Sequence, residues 1–225
     1  MSAIISSMYF SPEWFFGYDI VLELLFMLII LSVSYYSLKV YKVSGQREAK
    51  LFSLAFFFIA ASYFVQSVVI FSIISTLNQT MSLALKLMRV EAINITGFFF
   101  QRFLFLLGLV TLIYMILKVK DRGLYFLLVI LTVIPLLLVP DISFTFYLLS
   151  SIFLVYISSH YLVNYFRHKQ KKTLLVLTAF LFLLFGSIHF IFSVNHSLFY
   201  VIGHFLELIA YALILINLLL VVRKR

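Results

Sequence analysis

The sequence contains no cysteine, and charged residues make up only 11% of its 225 residues. Without cysteine there are no disulfide bonds, no thiolate metal sites and no catalysis by a thiol. The low charge also argues against a water-soluble domain, in which about a quarter of the residues are normally charged. Histidine and carboxylate side chains are therefore the groups left for chemistry.

Apolar residues are abundant instead. They account for 64% of the chain, and the mean hydropathy is +1.16. In lipid the backbone N–H and C=O groups must be satisfied within helices or a closed barrel. A barrel strand alternates apolar and polar residues, whereas runs such as 124–138 and 213–222 do not alternate. The sequence therefore predicts an all-α, polytopic membrane protein located in the cell membrane.

Charged and turn-forming residues divide the chain into seven predicted membrane spans, which together form one domain over residues 1–225. The predicted spans cover 19–38, 51–75, 93–117, 123–140, 143–166, 173–194 and 197–222. The segment between the second and third spans has Ser82, Lys86 and Arg89 on one face, with Leu85 and Met88 on the other. This pattern favours a short separate helix lying on the outer surface of the membrane.

The basic residues predict the orientation of the bundle, because cytoplasmic loops carry an excess of lysine and arginine. Fourteen of the 17 lysines and arginines fall in alternate loops or at the C-terminus. These are Lys39, Lys42, Arg47, Lys50, Lys118, Lys120, Arg122, Arg167, Lys169, Lys171, Lys172, Arg223, Lys224 and Arg225. We therefore expect the N-terminus outside and the C-terminus in the cytoplasm. The net charge of +9 is a topology signal and does not indicate nucleic-acid binding.

A few ionisable or amide side chains fall inside the predicted spans, where burial is costly and function is the usual reason for keeping them. They are Glu23, Gln66, Gln101, Arg102, His160, His189, His204 and Glu207. His160 lies near the inner end of its span and is predicted to pair with Asn164. The other seven fall in the outer half of the predicted bundle.

Helix geometry brings the outer group together. Residues 200, 204, 207 and 211 are spaced by four, three and four positions, so Tyr200, His204, Glu207 and Tyr211 form one stripe on the last span. His189 and His204 lie level with each other on either side of a tight turn, roughly 10–12 Å below the outer surface. We therefore predict a polar cavity that opens outward between spans 1, 2, 3, 6 and 7. Its expected ligand-binding residues are Glu23, Gln66, Gln101, Arg102, Tyr200 and Tyr211.

His189, His204 and Glu207 offer two imidazoles and one carboxylate, a donor set that suits a divalent metal such as zinc with one open position. A haem site is a further possibility for the same histidines. The structural alternative is that these polar groups hydrogen-bond to one another and hold the helices together. No lysine lies inside a predicted span, which excludes a retinal Schiff base.

Two stretches carry a resemblance to a known family. The phrase GHFLELIAYA (203–212) resembles the last helix of the seven-helix membrane input modules of bacterial and archaeal sensor kinases and cyclases. The phrase YKVSGQR (41–47), followed by LFSLAFF (51–57), resembles their first inner loop and second helix. The resemblance implies a sensory role. Because no output domain follows in this sequence, it also implies a separate cytoplasmic signalling partner.

The leading hypothesis from the sequence is a receptor-like or sensory membrane protein whose cavity binds a small molecule, a proton or an ion. The first alternative is a zinc-dependent or haem-containing membrane enzyme that uses His189, His204 and Glu207. The second alternative is a small-solute transporter. In each case membrane lipids surround the protein and no nucleic acid is involved.

Overall fold

The computed structural model describes Pro12, Trp14, Phe15 and residues 18–77, 82–139, 141–193 and 196–223. Regular secondary structure in these ranges is entirely helical. The seven helices are α1 (Tyr18–Ser44), α2 (Arg47–Leu77), α3 (Leu83–Leu117), α4 (Arg122–Leu138), α5 (Ile142–His168), α6 (Lys171–Phe192) and α7 (Leu198–Arg223). The prediction of an all-helical chain is confirmed.

Local signals fix where several helices begin and end. Asp121 and Asp141 cap α4 and α5, because their side chains accept the N–H groups of Gly123 and Phe144. The turn between α1 and α2 passes through Gly45 at φ 66°, a conformation that glycine adopts without strain. Short polar turns of this kind leave nearly the whole chain for apolar helices.

Six of the helices are long and apolar enough to cross a membrane: α1, α2, α3, α5, α6 and α7. The chain is therefore compatible with a multi-pass membrane protein. Helix α4 is apolar but has 17 residues, which corresponds to roughly 25 Å at 1.5 Å per residue. It is a little shorter than a hydrocarbon core of about 30 Å.

The long helices form a closed ring. Each packs on the next in the order α1, α2, α3, α5, α6 and α7, and α7 packs back on α1. Helix α4 lies outside this ring, against α3 and α5, and buries only Thr132 and Leu136. The ring encloses one interior, and residues from different helices meet there.

The start of α5 lies beside the middle of α3. Arg102 on α3 donates a hydrogen bond of 2.8 Å to Ser143 at the start of α5, and the rings of Phe105 and Phe146 are 5.5 Å apart. Arg102 precedes the end of α3 by 15 residues, or roughly 22 Å. Helix α4 therefore carries the chain back by roughly 22 Å, a little less than half the length of α3, before α5 begins.

The prediction of a separate surface helix around Ser82–Arg89 is wrong. These residues continue without a break into α3, which has 35 residues. The physical reason is that neither glycine nor proline interrupts 83–96, so the helix propagates once it has started.

A large apolar core fills the ring, and Phe26, Ile59, Leu109, Phe180 and Tyr211 lie within it, while two smaller clusters lie apart from it. Large apolar side chains also cover the outer surface, where lipid would solvate them. Helices α2 and α3 approach closely at Gly108, where an added Cβ would lie 2.8 Å from the carbonyl oxygen of Ala55.

Candidate functional site

The polar stripe of α7 faces the interior of the ring. Tyr200, His204, Glu207 and Tyr211 are all buried, with exposed fractions of 6%, 3%, 7% and 0%. Their spacing places them on one face, and that face packs against α6 and α1. The residues between them, such as Ile202, Phe205 and Ile209, are exposed on the outer face.

His204 and Glu207 form a close buried pair one turn apart. His204 Nδ1 lies 3.6 Å from Glu207 Oε2, which is an ion-pair distance when the imidazole is protonated. Neither ring nitrogen of His204 makes a hydrogen bond to the described residues. A buried polar atom without a partner is costly, so this imidazole is open to a proton, a water molecule or an ion.

Four aromatic rings surround the imidazole of His204. The ring centroids of Tyr200 and Phe190 lie 4.5 and 5.1 Å away, and those of Phe26 and Phe15 lie 5.9 and 6.1 Å away. Aromatic faces attract a cation at such distances. The four rings give a neutral imidazole apolar surroundings and attract a protonated imidazole.

A second polar pair links α1 to α2. Glu23 is fully buried, and its Oε1 accepts a hydrogen bond from Gln66 Nε2. Its other oxygen, Oε2, has no hydrogen-bond partner among the described residues. Asp19 and Glu207 lie close enough to Glu23 for electrostatic interaction. Acidic groups of α1 and α7 therefore face the same interior.

A third pair spans the ring. The hydroxyls of Tyr63 on α2 and Tyr211 on α7 are 2.8 Å apart, so one donates to the other. Phe26 packs on both tyrosine rings, at 5.3 and 5.9 Å. The same Phe26 ring contacts His204, which connects the two polar pairs through one aromatic side chain.

A cavity of about 30 Å³ lies among these groups. The lining residues are Tyr63, Gln66, Gln101, Phe105, Phe146, Tyr147, Ser150, Ser187, Phe190, His204 and Glu207. The cavity can hold one or two water molecules or a small ion, whereas pockets for organic ligands measure roughly 300 Å³ or more. Helix α5 contributes to the lining, although the sequence places the cavity between spans 1, 2, 3, 6 and 7.

Phe15 packs on the cage from the N-terminal segment. It is 5% exposed and contacts Tyr200 as well as His204. Trp14 follows on the outside, with its ring 5.4 Å from that of Phe15 and 62% of its surface exposed. Phe15 therefore covers His204 on the side of the N-terminal segment.

Gln101 and Arg102, which are adjacent on α3, lie in different surroundings. Gln101 is buried and lines the cavity, as expected. Arg102 is half-buried, donates to Ser143 and lies over the ring of Phe98, 5.5 Å from its centroid. Arg102 thus contacts the start of α5, and its charge also acts on the buried Tyr147.

The structure does not bring the three proposed metal ligands together. His189 Nδ1 lies 2.7 Å from the carbonyl oxygen of Phe185 on its own helix, and its ring packs on Phe199. Among the described residues no group of three or more histidine or acidic side chains is close enough to hold a metal ion. His204 and Glu207 supply two donors, and zinc or haem binding stays a prediction. His160 Nε2 and Asn164 Nδ2 are 2.8 Å apart on the same helix, so this contact does not link two helices.

Sequence reasoning missed several residues of the site, among them Tyr63, Phe15, Phe26 and Phe190. Tyr63 precedes Gln66 by three positions and Phe26 follows Glu23 by three, so each lies on the same helical face as its polar neighbour. That spacing could have identified both. Phe15 and Phe190 carry no such signal, because phenylalanine occurs 27 times in the chain.

No family model, no curated protein and no solved structure matches this chain.

Proposed function

We propose that this chain is a seven-span sensory protein of the cell membrane that responds to proton binding at the His204–Glu207 pair. The observation that carries the proposal is the pair itself, a buried imidazole 3.6 Å from a buried carboxyl group. Neither nitrogen of this imidazole makes a hydrogen bond to the described residues. Imidazole is the side chain that changes charge near neutral pH. Ionisable groups inside a membrane bundle are functional-site hypotheses by default.

A proton is favoured over a larger ligand by the size of the cavity. About 30 Å³ accepts a proton, water or a small ion and leaves no room for an organic molecule. The groups that face His204 are suited to a charge that comes and goes. Glu207 lies one turn away on the same helix, and the remaining contacts of the imidazole are the four aromatic rings. Glu23 on α1 interacts electrostatically with Glu207.

Protonation of His204 would change how α7 packs against its neighbours in the helix ring. A proton on His204 turns the Glu207 contact into an ion pair and creates a cation within the aromatic cage. Two of those rings belong to neighbouring helices, Phe26 on α1 and Phe190 on α6. The proton therefore has a differential contact through which it can bias helix packing. A separate cytoplasmic partner would detect the change in helix packing at the end of the bundle that carries most of the basic residues.

The seven-span, N-out and C-in arrangement is part of the proposal. It is supported by the fourteen basic residues that fall in alternate loops or at the C-terminus. It is also supported by α4, whose path from the end of α3 to the level of Arg102 covers roughly 22 Å of a hydrocarbon core about 30 Å thick. A tilted or locally thinned bilayer accommodates a helix of 17 residues.

The test uses Trp14, the single tryptophan, which lies one ring away from the cage. The full chain in phosphatidylcholine nanodiscs is titrated from about pH 8 to about pH 5 while Trp14 fluorescence is recorded. We expect one transition in the parent protein and none in His204→Gln. The matched control, His189→Gln, removes a half-buried histidine from the adjacent helix and should keep the transition. A transition that survives in His204→Gln would overturn the proposal.

A second measurement follows the inner end of the bundle. Because the chain has no cysteine, the variant Lys39→Cys/Lys172→Cys can carry two spin labels without background. The distance between the labels should change over the same pH range, and His204→Gln should abolish the change.

Proton-driven uptake of a labelled solute into liposomes would favour the transporter, and stoichiometric zinc or a haem absorption band would favour the enzyme.

Topology has its own test. Single cysteines at Lys86 and Lys169 are labelled in intact cells with a maleimide that does not cross membranes. We expect labelling at position 86 without permeabilisation and at position 169 only after it. Labelling of both positions in intact cells would contradict the seven-span arrangement.

A further inference from the structure

A second cavity lies at the opposite end of the bundle from the His204 cage. It measures about 390 Å³ and lies between α2, α3 and α4. Its lining residues are Arg47, Leu51, Leu54, Thr111, Tyr114, Lys120, Arg122 and Tyr125. This volume falls within the range of small-molecule sites, and the proton site proposed above does not involve it.

Three cations converge on this cavity. Arg47 begins α2, while Lys120 and Arg122 lie at the turn that leads into α4. The acidic residue of this turn, Asp121, caps α4 by accepting the Gly123 N–H at 2.8 Å. The excess of positive charge suits an anion with several oxygen atoms, such as a phosphate ester.

Arg47 is held in place by the wall of the cavity. Its Nη2 donates a hydrogen bond of 2.8 Å to the Tyr114 hydroxyl, and its guanidinium carbon lies 5.1 Å from the Tyr114 ring centroid. The Tyr114 hydroxyl in turn donates to the carbonyl oxygen of Asp121. Arginine carries five N–H donors, and one of them serves Tyr114 among the described contacts. The guanidinium is thus oriented before a ligand arrives.

The opposite wall is polar in part and apolar in part. Thr111 and Tyr125 share a hydrogen bond of 3.1 Å on the side of α3 and α4. Leu51 and Leu54 line the side of α2, and Leu54 is 41% exposed on the outer surface of the bundle. The cavity therefore combines cations and hydroxyls with an apolar edge that reaches the surface where lipid chains would lie.

We propose that this cavity binds the phosphate-bearing headgroup of an anionic phospholipid. Arg47, Lys120 and Arg122 contact the phosphate, and the acyl chains leave along Leu51 and Leu54. Basic pockets between membrane helices at an interface are suited to such headgroups. The proposal needs only that the helices lie in a bilayer, so it is independent of proton sensing. Because the cavity joins α4 to α2 and α3, a bound lipid would fasten this peripheral helix to the ring.

The test measures lipid binding to the purified full chain in detergent by native mass spectrometry. The probes are dioleoyl phosphatidic acid, dioleoyl phosphatidylcholine and the soluble ester glycerol 3-phosphate. We expect phosphatidic acid to add one molecule per chain and the two other probes to add none at the same concentration. Equal binding of phosphatidylcholine would overturn headgroup recognition, and displacement of the lipid by equimolar glycerol 3-phosphate would assign the site to a soluble phosphate ester instead.

The variant Lys120→Gln/Arg122→Gln should weaken phosphatidic acid binding by roughly 30-fold, since each basic residue near the surface contributes about fivefold. Both side chains are exposed, so the change should not disturb folding. The matched control, Arg167→Gln/Lys171→Gln, removes two exposed cations from the turn between α5 and α6 and should bind as the parent does. If both variants lost phosphatidic acid binding equally, binding would depend on general surface charge, and the proposed site would be overturned.

Discussion

The hydroxyls of Tyr63 and Tyr211 lie 2.8 Å apart and join α2 to α7 across the interior of the helix ring. In the described ranges the backbones of these two helices do not pack against each other, since α1 lies between them on one side. Both tyrosines are buried, at 3% and 0% exposure. The tyrosine pair is therefore a direct polar link between two helices that are not neighbours in the ring.

Removing one hydroxyl of this pair should lower the free energy of unfolding by about as much as removing both. Tyr63→Phe or Tyr211→Phe leaves the other hydroxyl buried without its partner, and we expect each to lower the free energy of unfolding by about 1 kcal/mol. The double variant should be no worse than either single one, which gives a coupling energy of similar size. Unfolding in mixed micelles with increasing dodecyl sulfate measures this. The control is Tyr35→Phe, at an exposed tyrosine of α1. Additive losses would show that the hydroxyls do not interact.

Replacing Gln66 should make stability depend on pH. In Gln66→Met, Glu23 loses the amide that donates to its Oε1, and an ionised carboxylate is then buried without that hydrogen bond. The loss of stability should be larger at about pH 8 than at about pH 5, because a protonated carboxyl group needs less compensation. Thermal unfolding at the two pH values measures this.

Adding Glu23→Gln to that variant is the decisive comparison. The double variant has no carboxyl group at position 23, so the pH-dependent part of the loss should disappear. Glu48→Gln removes an exposed carboxyl group at the start of α2 and serves as the charge control. A pH dependence that persists in the double variant would show that another group is responsible.

The helices and the inward stripe of α7 could be predicted from the sequence, because both depend on local periodicity. The four polar residues of the α7 stripe are all buried, together with Val201, Gly203, Ala210 and Ile214, and their 4-3-4 spacing places them on one face. On α6 the same reasoning is less accurate. It places His189 at the cavity, whereas Ser187 and Phe190 are buried there and His189 is half-buried.

The difference on α6 has a simple physical cause. One residue corresponds to a rotation of about 100°, so a shift of one position replaces His189 with Phe190 at the interior. In an apolar helix periodicity barely distinguishes these two rotations, and packing decides. Phe190 packs against the surface of Gly203, where an added Cβ would lie 2.7 Å from its Cε1. Contacts of this kind depend on the partner helix and cannot be read from one segment.

Helix contact at Gly108 should tolerate no side chain. In Gly108→Ala the new Cβ would lie 2.5 Å from Ile59 Cγ1 and 2.8 Å from the carbonyl oxygen of Ala55. The backbone oxygen cannot rotate away, so α2 and α3 must separate, and we expect a loss of about 1–3 kcal/mol. At Gly186 the nearest atom is 3.3 Å from the added Cβ, so Gly186→Ala should cost less. Thermal unfolding of both variants tests the order, and an equal or reversed order would contradict the close approach of α2 and α3.

Phe15 should control access to His204. The imidazole is 3% exposed, and Phe15 packs on it from the N-terminal segment. In Phe15→Ala the cage loses that ring, and water and small reagents should reach the imidazole. Diethyl pyrocarbonate, which acylates neutral imidazole nitrogens, reports this when the modified residues are identified by mass spectrometry. We expect little modification of His204 in the parent and a reaction faster by about tenfold or more in the variant, because local opening then needs less free energy.

Two controls separate this local opening from a general loss of stability. Exposed His168 should react at the same rate in the parent and in Phe15→Ala. Phe126→Ala, at an exposed phenylalanine of α4, should leave His204 protected, because a surface substitution away from the cage changes stability little. Rapid modification of His204 in the parent would show that Phe15 does not close the cavity.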